Sequence, residues 1–260
     1  MPSWQDNDRA VAALVNLVVV LADNKYFLGR RISEWEVGAP GLEEAVASSA
    51  LAQEELGHAR VLYPLLDELP FPERPLPLER EGDRKRRYAV SFLDKPWGTW
   101  TEAVAAILLV DTALTTMLEH LTDSAWEPLA RRAVRILQEE AFHLEFAEGR
   151  LRELAALPGV RGELEGHLRA FLPEMLLWFG PEGEEGVREL VREGLIRGGN
   201  EAWRQAYLGR IAPLLLEERL GVLPYPSWDV ARRRYEYGEL PWNHWNRLQR
   251  RLEAVSPVER

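Results

Sequence analysis

The chain has 260 residues, no cysteine, and 42 acidic against 32 basic side chains, a formal net charge of −10. Without thiols there are no disulfides, thiolate nucleophiles, iron–sulfur ligands or cysteine zinc sites, and an acidic chain does not suit a nucleic-acid partner, which needs clustered basic surface. At 46% hydrophobic and 28% charged residues it has an ordinary globular composition, and no Pro/Gly/Ser-rich linker divides it.

Residues 8–33 are apolar all round, through Val11, Leu14, Val15, Val18, Leu21 and Phe27, the pattern of a helix deep in a bundle. The apolar stretch 10–22, interrupted by Asn16, is too short to cross a bilayer. Met1-Pro2-Ser3-Trp4 lacks the basic start and cleavage site of a secretory signal, so a cytoplasmic protein with no membrane partner is expected. Gly38-Ala39-Pro40-Gly41 breaks the pattern, and a second helix is expected over 42–69, ending at the proline-rich stretch 70–77. Residues 71–97 read as an extended crossover with one short helix at 83–92. Their basic run Arg84-Lys85-Arg86-Arg87 follows Glu79, Arg80, Glu81 and Asp83 and reads as a solvated face. Thr99 or Thr101 caps a third helix running to about 121. After a break at Thr122-Asp123-Ser124, a fourth helix spans 127–157.

These four helices make a core over 1–157, with the crossover near 70–98. Helical patterns at 164–179 and 185–220, the latter interrupted at Gly194, Gly198 and Gly199, complete the same domain to residue 224. Residues 225–260, with Tyr225, Trp228, Tyr235, Tyr237, Trp242 and Trp245, form an aromatic tail that packs on the bundle or makes an oligomer contact. No segment alternates as a strand does, and the reading is all-α.

One phrase occurs twice. Gln53-Glu54-Glu55-Leu56-Gly57-His58 is answered by Gln138-Glu139-Glu140-Ala141-Phe142-His143. Each copy holds Glu-x-x-His, which on a helix puts carboxylate and imidazole on neighbouring turns of one face. Bundles that hold two carboxylate-bridged metal ions use two such pairs plus one carboxylate from each of the other two helices. Glu54 and Glu139, one position off that face, are expected to point outward. His120, His167 and His244 belong to no comparable constellation.

Counting back 29 residues from Glu140 reaches Asp111, an acid inside an apolar run, where a carboxylate needs a partner. Counting back 30 from Glu55 reaches Lys25, and neither Asp23 nor Glu34 lies on the same face. Two arrangements follow. In one, iron or manganese binds Glu55, His58, Asp111, Glu140 and His143 with Lys25 swung aside. In the other, the Lys25 ammonium replaces one metal and forms a buried ion-pair cluster with Glu55, Asp111 and Glu140.

These residues, together with Glu34-Trp35, Ala39-Pro40, Leu109-Val110-Asp111, Phe179-Gly180-Pro181 and the run from Tyr235 to Trp242, resemble the ferritin-like subunits of the bacterial phenylacetyl-CoA epoxidase. The resemblance implies a ferritin-like four-helix bundle with additional C-terminal helices. It implies a di-iron centre at Glu55, His58, Asp111, Glu140 and His143, in a monooxygenase acting on an aromatic coenzyme A thioester in phenylacetate catabolism. Its implied partners are a homologous ferritin-like subunit and an electron-delivering reductase, in an oligomer. Lys25 stands where the catalytic subunit has its first glutamate, as in a structural subunit without catalytic function. Metal storage is the role that the aromatic tail fits least.

Overall fold

The computed structural model describes residues 3–71, 75, 77–78, 86–222 and 226–253. Helix α1 (Asp8–Ser33) starts at Asn7, whose side chain accepts from the Ala10 N–H at 3.2 Å. Helix α2 (Leu42–Leu62) tightens into a 3-10 turn over Tyr63–Glu68. Pro64 has no N–H for an α-helical bond and its ring crowds the preceding turn, so the regular helix stops short of residue 69. Helix α3 (Trp100–Glu119) is capped by Thr99, which accepts from the Glu102 N–H. Helix α4 (Glu127–Ala156) follows and runs directly into α5 (Pro158–Trp178), with Pro158 at the first helical position, where a missing N–H costs nothing. The pattern over 185–220 divides into α6 (Glu185–Arg192) and α7 (Asn200–Glu217), because Gly194 and Gly198 take φ of 69° and 73°.

The crossover departs from expectation. Residues 86–90 form no regular element, and only Ser91–Leu93 makes a short 3-10 turn; residues 83–85 lie outside the described residues, as do Arg84 and Lys85 of the basic run. The cause is two polar side chains of α1. Asp23 accepts from the Tyr88 N–H at 2.8 Å, while Asn24 accepts from the Val90 N–H and donates to the Tyr88 carbonyl, both at 3.1 Å. A helix there would have withdrawn those backbone groups from α1, leaving buried Asp23 and Asn24 short of partners.

The four long helices pack in pairs, α1 on α2 and α3 on α4, with α5 and α7 covering α3 and α6 covering α1. Helices α1 and α3 are long and apolar enough to cross a membrane by length and composition, and both are largely buried in the bundle. The fold is the all-α, ferritin-like bundle expected. Two small antiparallel ladders were not foreseen: β1 (Ser227–Asp229) with β2 (Arg234–Glu236), and β3 (Trp245–Asn246) with β4 (Arg251–Leu252). They are too short for alternation to show in the sequence. Tyr225 lies outside the described residues.

Side chains rather than ladders fix this last segment. Arg250 donates to the carbonyls of Trp178 and Phe179, both at 2.8 Å, and pairs with Glu184. Glu174 on α5 accepts from the N–H groups of Ser91 and Leu252, at 2.7 and 2.9 Å, so one carboxylate ties crossover, α5 and β4 together. Burial pushes the Glu174 carboxyl above its ordinary range despite these bonds. A carboxyl so raised holds a proton more tightly folded than unfolded. Its contribution is therefore complete below the unfolded value and is lost as pH rises through the folded one. Urea denaturation from about pH 4 to about pH 8 should show the stability of the wild type relative to Glu174→Gln declining as pH rises; a pH-independent difference would contradict this.

Candidate metal centre

Glu55 and His58 occupy successive turns of α2, Glu140 and His143 those of α4; all four are buried, Glu55, Glu140 and His143 converge on one point between the helices, and His58 stands at its edge beside Glu140. Asp111 of α3 and Lys25 of α1 close the other two sides. The Lys25 ammonium donates to Glu140 Oε1 at 2.6 Å, Asp111 Oδ1 at 2.7 Å and Glu55 Oε1 at 2.8 Å. Of the two arrangements the sequence allows, the structure has the ion-pair cluster. Gly29, one turn after Lys25, permits it: a Cβ there would sit 3.0 Å from the Ala52 carbonyl and from Glu55 Cβ, so only glycine lets α1 approach α2 this closely.

His143 Nδ1 lies 3.0 Å from Glu55 Oε1 and 3.1 Å from Asp111 Oδ2. His58 Nδ1 lies 3.2 Å from Glu140 Oε1 without hydrogen-bond alignment. Glu54 and Glu139 correct the sequence reading. They are half-exposed, yet each reaches across to the other helix: Glu54 Oε2 lies 2.6 Å from His143 Nε2, and Glu139 Oε2 lies 2.7 Å from His58 Nε2. The sequence reading considered each helix alone, whereas a glutamate side chain is long enough to meet the imidazole of an antiparallel neighbour. Thr115, one turn after Asp111, donates to Glu140 Oε2 at 2.7 Å and was also missed. His120, His167 and His244 contact Trp203, Thr99 and Asn243, away from the centre.

Electrostatics follow from this packing. Burial works to strip the Lys25 proton, but Asp111, Glu140 and Glu55 outweigh it and hold the ammonium well above the ordinary lysine value. Burial also opposes the charge on Asp111, and Lys25 with the His143 hydrogen bond overcomes it, so this carboxyl lies far below its usual range. His143, against its own burial, is raised to about 11 by hydrogen bonds to Asp111 and Glu55. Glu55 goes the other way. Burial, with repulsion from Asp111 and Glu140, pushes it up, and its Oε2 is buried without a hydrogen-bond partner.

The donors present suit a metal in part. One ligand atom from each of Glu55, Asp111, Glu140 and His143 lies within 4.8 Å of the others, and the orphaned Glu55 Oε2 and His58 Nδ1 are further donors. All are oxygen or imidazole nitrogen, a set suited to iron or manganese. They fit one cation. A second would need a carboxylate from α1, since two clustered metals take a ligand from every helix, and α1 presents Lys25 there.

The fold and centre define a four-helix carboxylate–histidine bundle, with a lysine among the six side chains that meet at its centre. The chain belongs to the phenylacetic acid catabolic protein family, whose model matches residues 1–256. It is similar to two different subunits of the 1,2-phenylacetyl-CoA epoxidase of Escherichia coli (strain K12). With one of them it shares 26% identity over 237 residues, covering 85% of this chain and 74% of that protein. With the other it shares 26% identity over 143 residues, 55% of this chain and 58% of that one.

Proposed function

We propose that this chain is a cytoplasmic subunit of a multicomponent oxygenase of the phenylacetyl-CoA epoxidase type, with the oxygen chemistry carried by a homologous ferritin-like subunit that a reductase supplies with electrons. The single observation that favours this over a self-sufficient di-iron monooxygenase is the Lys25 ammonium, within 2.8 Å of an oxygen on each of Glu55, Asp111 and Glu140. It supplies the positive charge that a metal would bring, and it keeps helices α1 to α4 in the geometry of the family's centre. Similarity to two different subunits of one enzyme supports a place in such a complex.

A second reading rests on the orphaned Glu55 Oε2 and His58 Nδ1: a single iron or manganese held by Glu55, His58, Asp111, Glu140 and His143, with Lys25 displaced. An ion so held would supply redox chemistry toward oxygen, while the buried apolar helices exclude water from it. Elemental analysis of protein purified without added metal, followed by anaerobic Fe2+ titration, separates the readings. The first expects well under one iron per chain, and a gain on Lys25→Glu, which restores the missing carboxylate. Two irons per wild-type chain, with turnover of a coenzyme A thioester in the presence of reductase alone, would overturn it.

A further inference from the structure

Helices α2 and α4 lie side by side, and their outer surface carries two stripes whose spacing reads the same from either end. On α2, Val46, Ala50, Gly57 and Val61 are four, seven and four residues apart, and at 100° per residue they stay within about 60° of one another. On α4, Arg131, Arg135, Phe142, Gly149 and Glu153 are four, seven, seven and four apart, within about 40°. The first stripe is centred between Gln53 and Glu54, the second on Phe142. The two centres lie at one depth, since Glu54 Oε2 meets His143 Nε2 at 2.6 Å. This surface is open: Val46 is 62% and Phe142 49% exposed, and among the described residues a Cβ added at Gly57 or Gly149 would meet nothing within 4 Å.

Charge decides what fits it. The α4 stripe begins basic, with Arg131 and Arg135, and ends acidic, with Glu153. A second α4 laid antiparallel on it and centred on Phe142 sets Arg131 opposite Glu153 at both ends, about 16 Å from the centre. Arg135 then faces Gly149, where the bare backbone leaves room for its long side chain, and Phe142 faces its own symmetry mate. On α2 the same operation sets Val46 against Val61 and Ala50 against Gly57, small residues that let the helices approach. Laid parallel, the α4 stripe would put arginine on arginine. Arg131 and Glu153 now pair with Glu127 at 3.6 Å and Arg150 at 2.8 Å on their own helix, exposed pairs that exchange at little cost. A face about 33 Å long and two helices wide is roughly what each partner contributes to a standard interface.

We propose that a second copy of this chain docks here face to face, about a two-fold axis that runs across α2 and α4 and passes Phe142. The inference goes beyond the oxygenase-subunit reading and holds whether or not the centre takes part in oxygen chemistry.

Sedimentation of the full chain over roughly 1–100 μM should show a dimer, at twice the 29.8 kDa of one chain. Phe142→Asp, at a half-exposed position, should weaken it at least about tenfold by setting two carboxylates together at the axis. Arg131→Glu and Glu153→Arg should each weaken it about threefold, and both together in one chain should restore it, because the pairs form again with their sense reversed. The absence of cysteine gives a second readout. Phe142→Cys should yield a disulfide-linked dimer under mild oxidation, and a mixture of Arg131→Cys and Glu153→Cys chains should cross-link faster than either alone. Val230→Cys, on the exposed hairpin between β1 and β2, should not cross-link. A monomer at the highest concentration, or a dimer indifferent to Phe142→Asp, would overturn the proposal. A chain that is monomeric alone and uses this face only for a homologous subunit would overturn it too, while leaving the oxygenase-subunit reading intact.

Discussion

Replacing Lys25 by methionine is expected to cost about 3–5 kcal/mol of folding stability, the penalty for leaving buried charge without its partner. Methionine keeps the apolar stem of the side chain and lacks the terminal ammonium, so the loss is chiefly that of the charge. Glu55, Asp111 and Glu140 would then face one another with only His143 and His58 between them, and all three are almost wholly excluded from water. Chemical denaturation measures the loss, and adding Mn2+ should recover part of it in the variant alone, because a cation entering the vacated position binds the folded state only. A variant as stable as the wild type in chelator would show that the ammonium does not hold this centre together.

The second large effect is expected from Asp111→Asn, at about 3 kcal/mol. Asp111 is the carboxylate most committed to its charge, bonded to Lys25 through one oxygen and lying 3.1 Å from His143 through the other. An amide returns the shape but not the charge, and its N–H₂ faces either the ammonium or the imidazole. Combining it with Lys25→Met should cost clearly less than the two single losses added together, because each removes part of what the other had been balancing. Full additivity would mean that the two side chains do not act on each other.

The centre was legible in the sequence to the extent that helical counting is reliable. The repeated Glu-x-x-His, and the depth count that reached Asp111 and Lys25, depend only on rise per residue and on antiparallel packing, and the structure brings all six residues together. Glu54, Glu139 and Thr115 were not legible, because each meets its partner across a helix interface rather than along its own helix. The crossover was misjudged for a related reason. Its backbone conformation is set by Asp23 and Asn24, more than sixty residues earlier, and no local propensity encodes such a bond. The second strand pair near the end is likewise held by Glu174 and Arg250 more than by its own composition.

The repeat gives the centre an internal two-fold relation: Glu54 with His143 mirrors Glu139 with His58, and Lys25 on α1 occupies the place that Asp111 occupies on α3. Equivalent positions have thus acquired opposite charges and joined at 2.7 Å. One half supplies an ammonium where the other supplies a carboxylate, and the two meet across the bundle. Positive and negative charge at the centre are thus supplied by the same chain and arrive together as it folds.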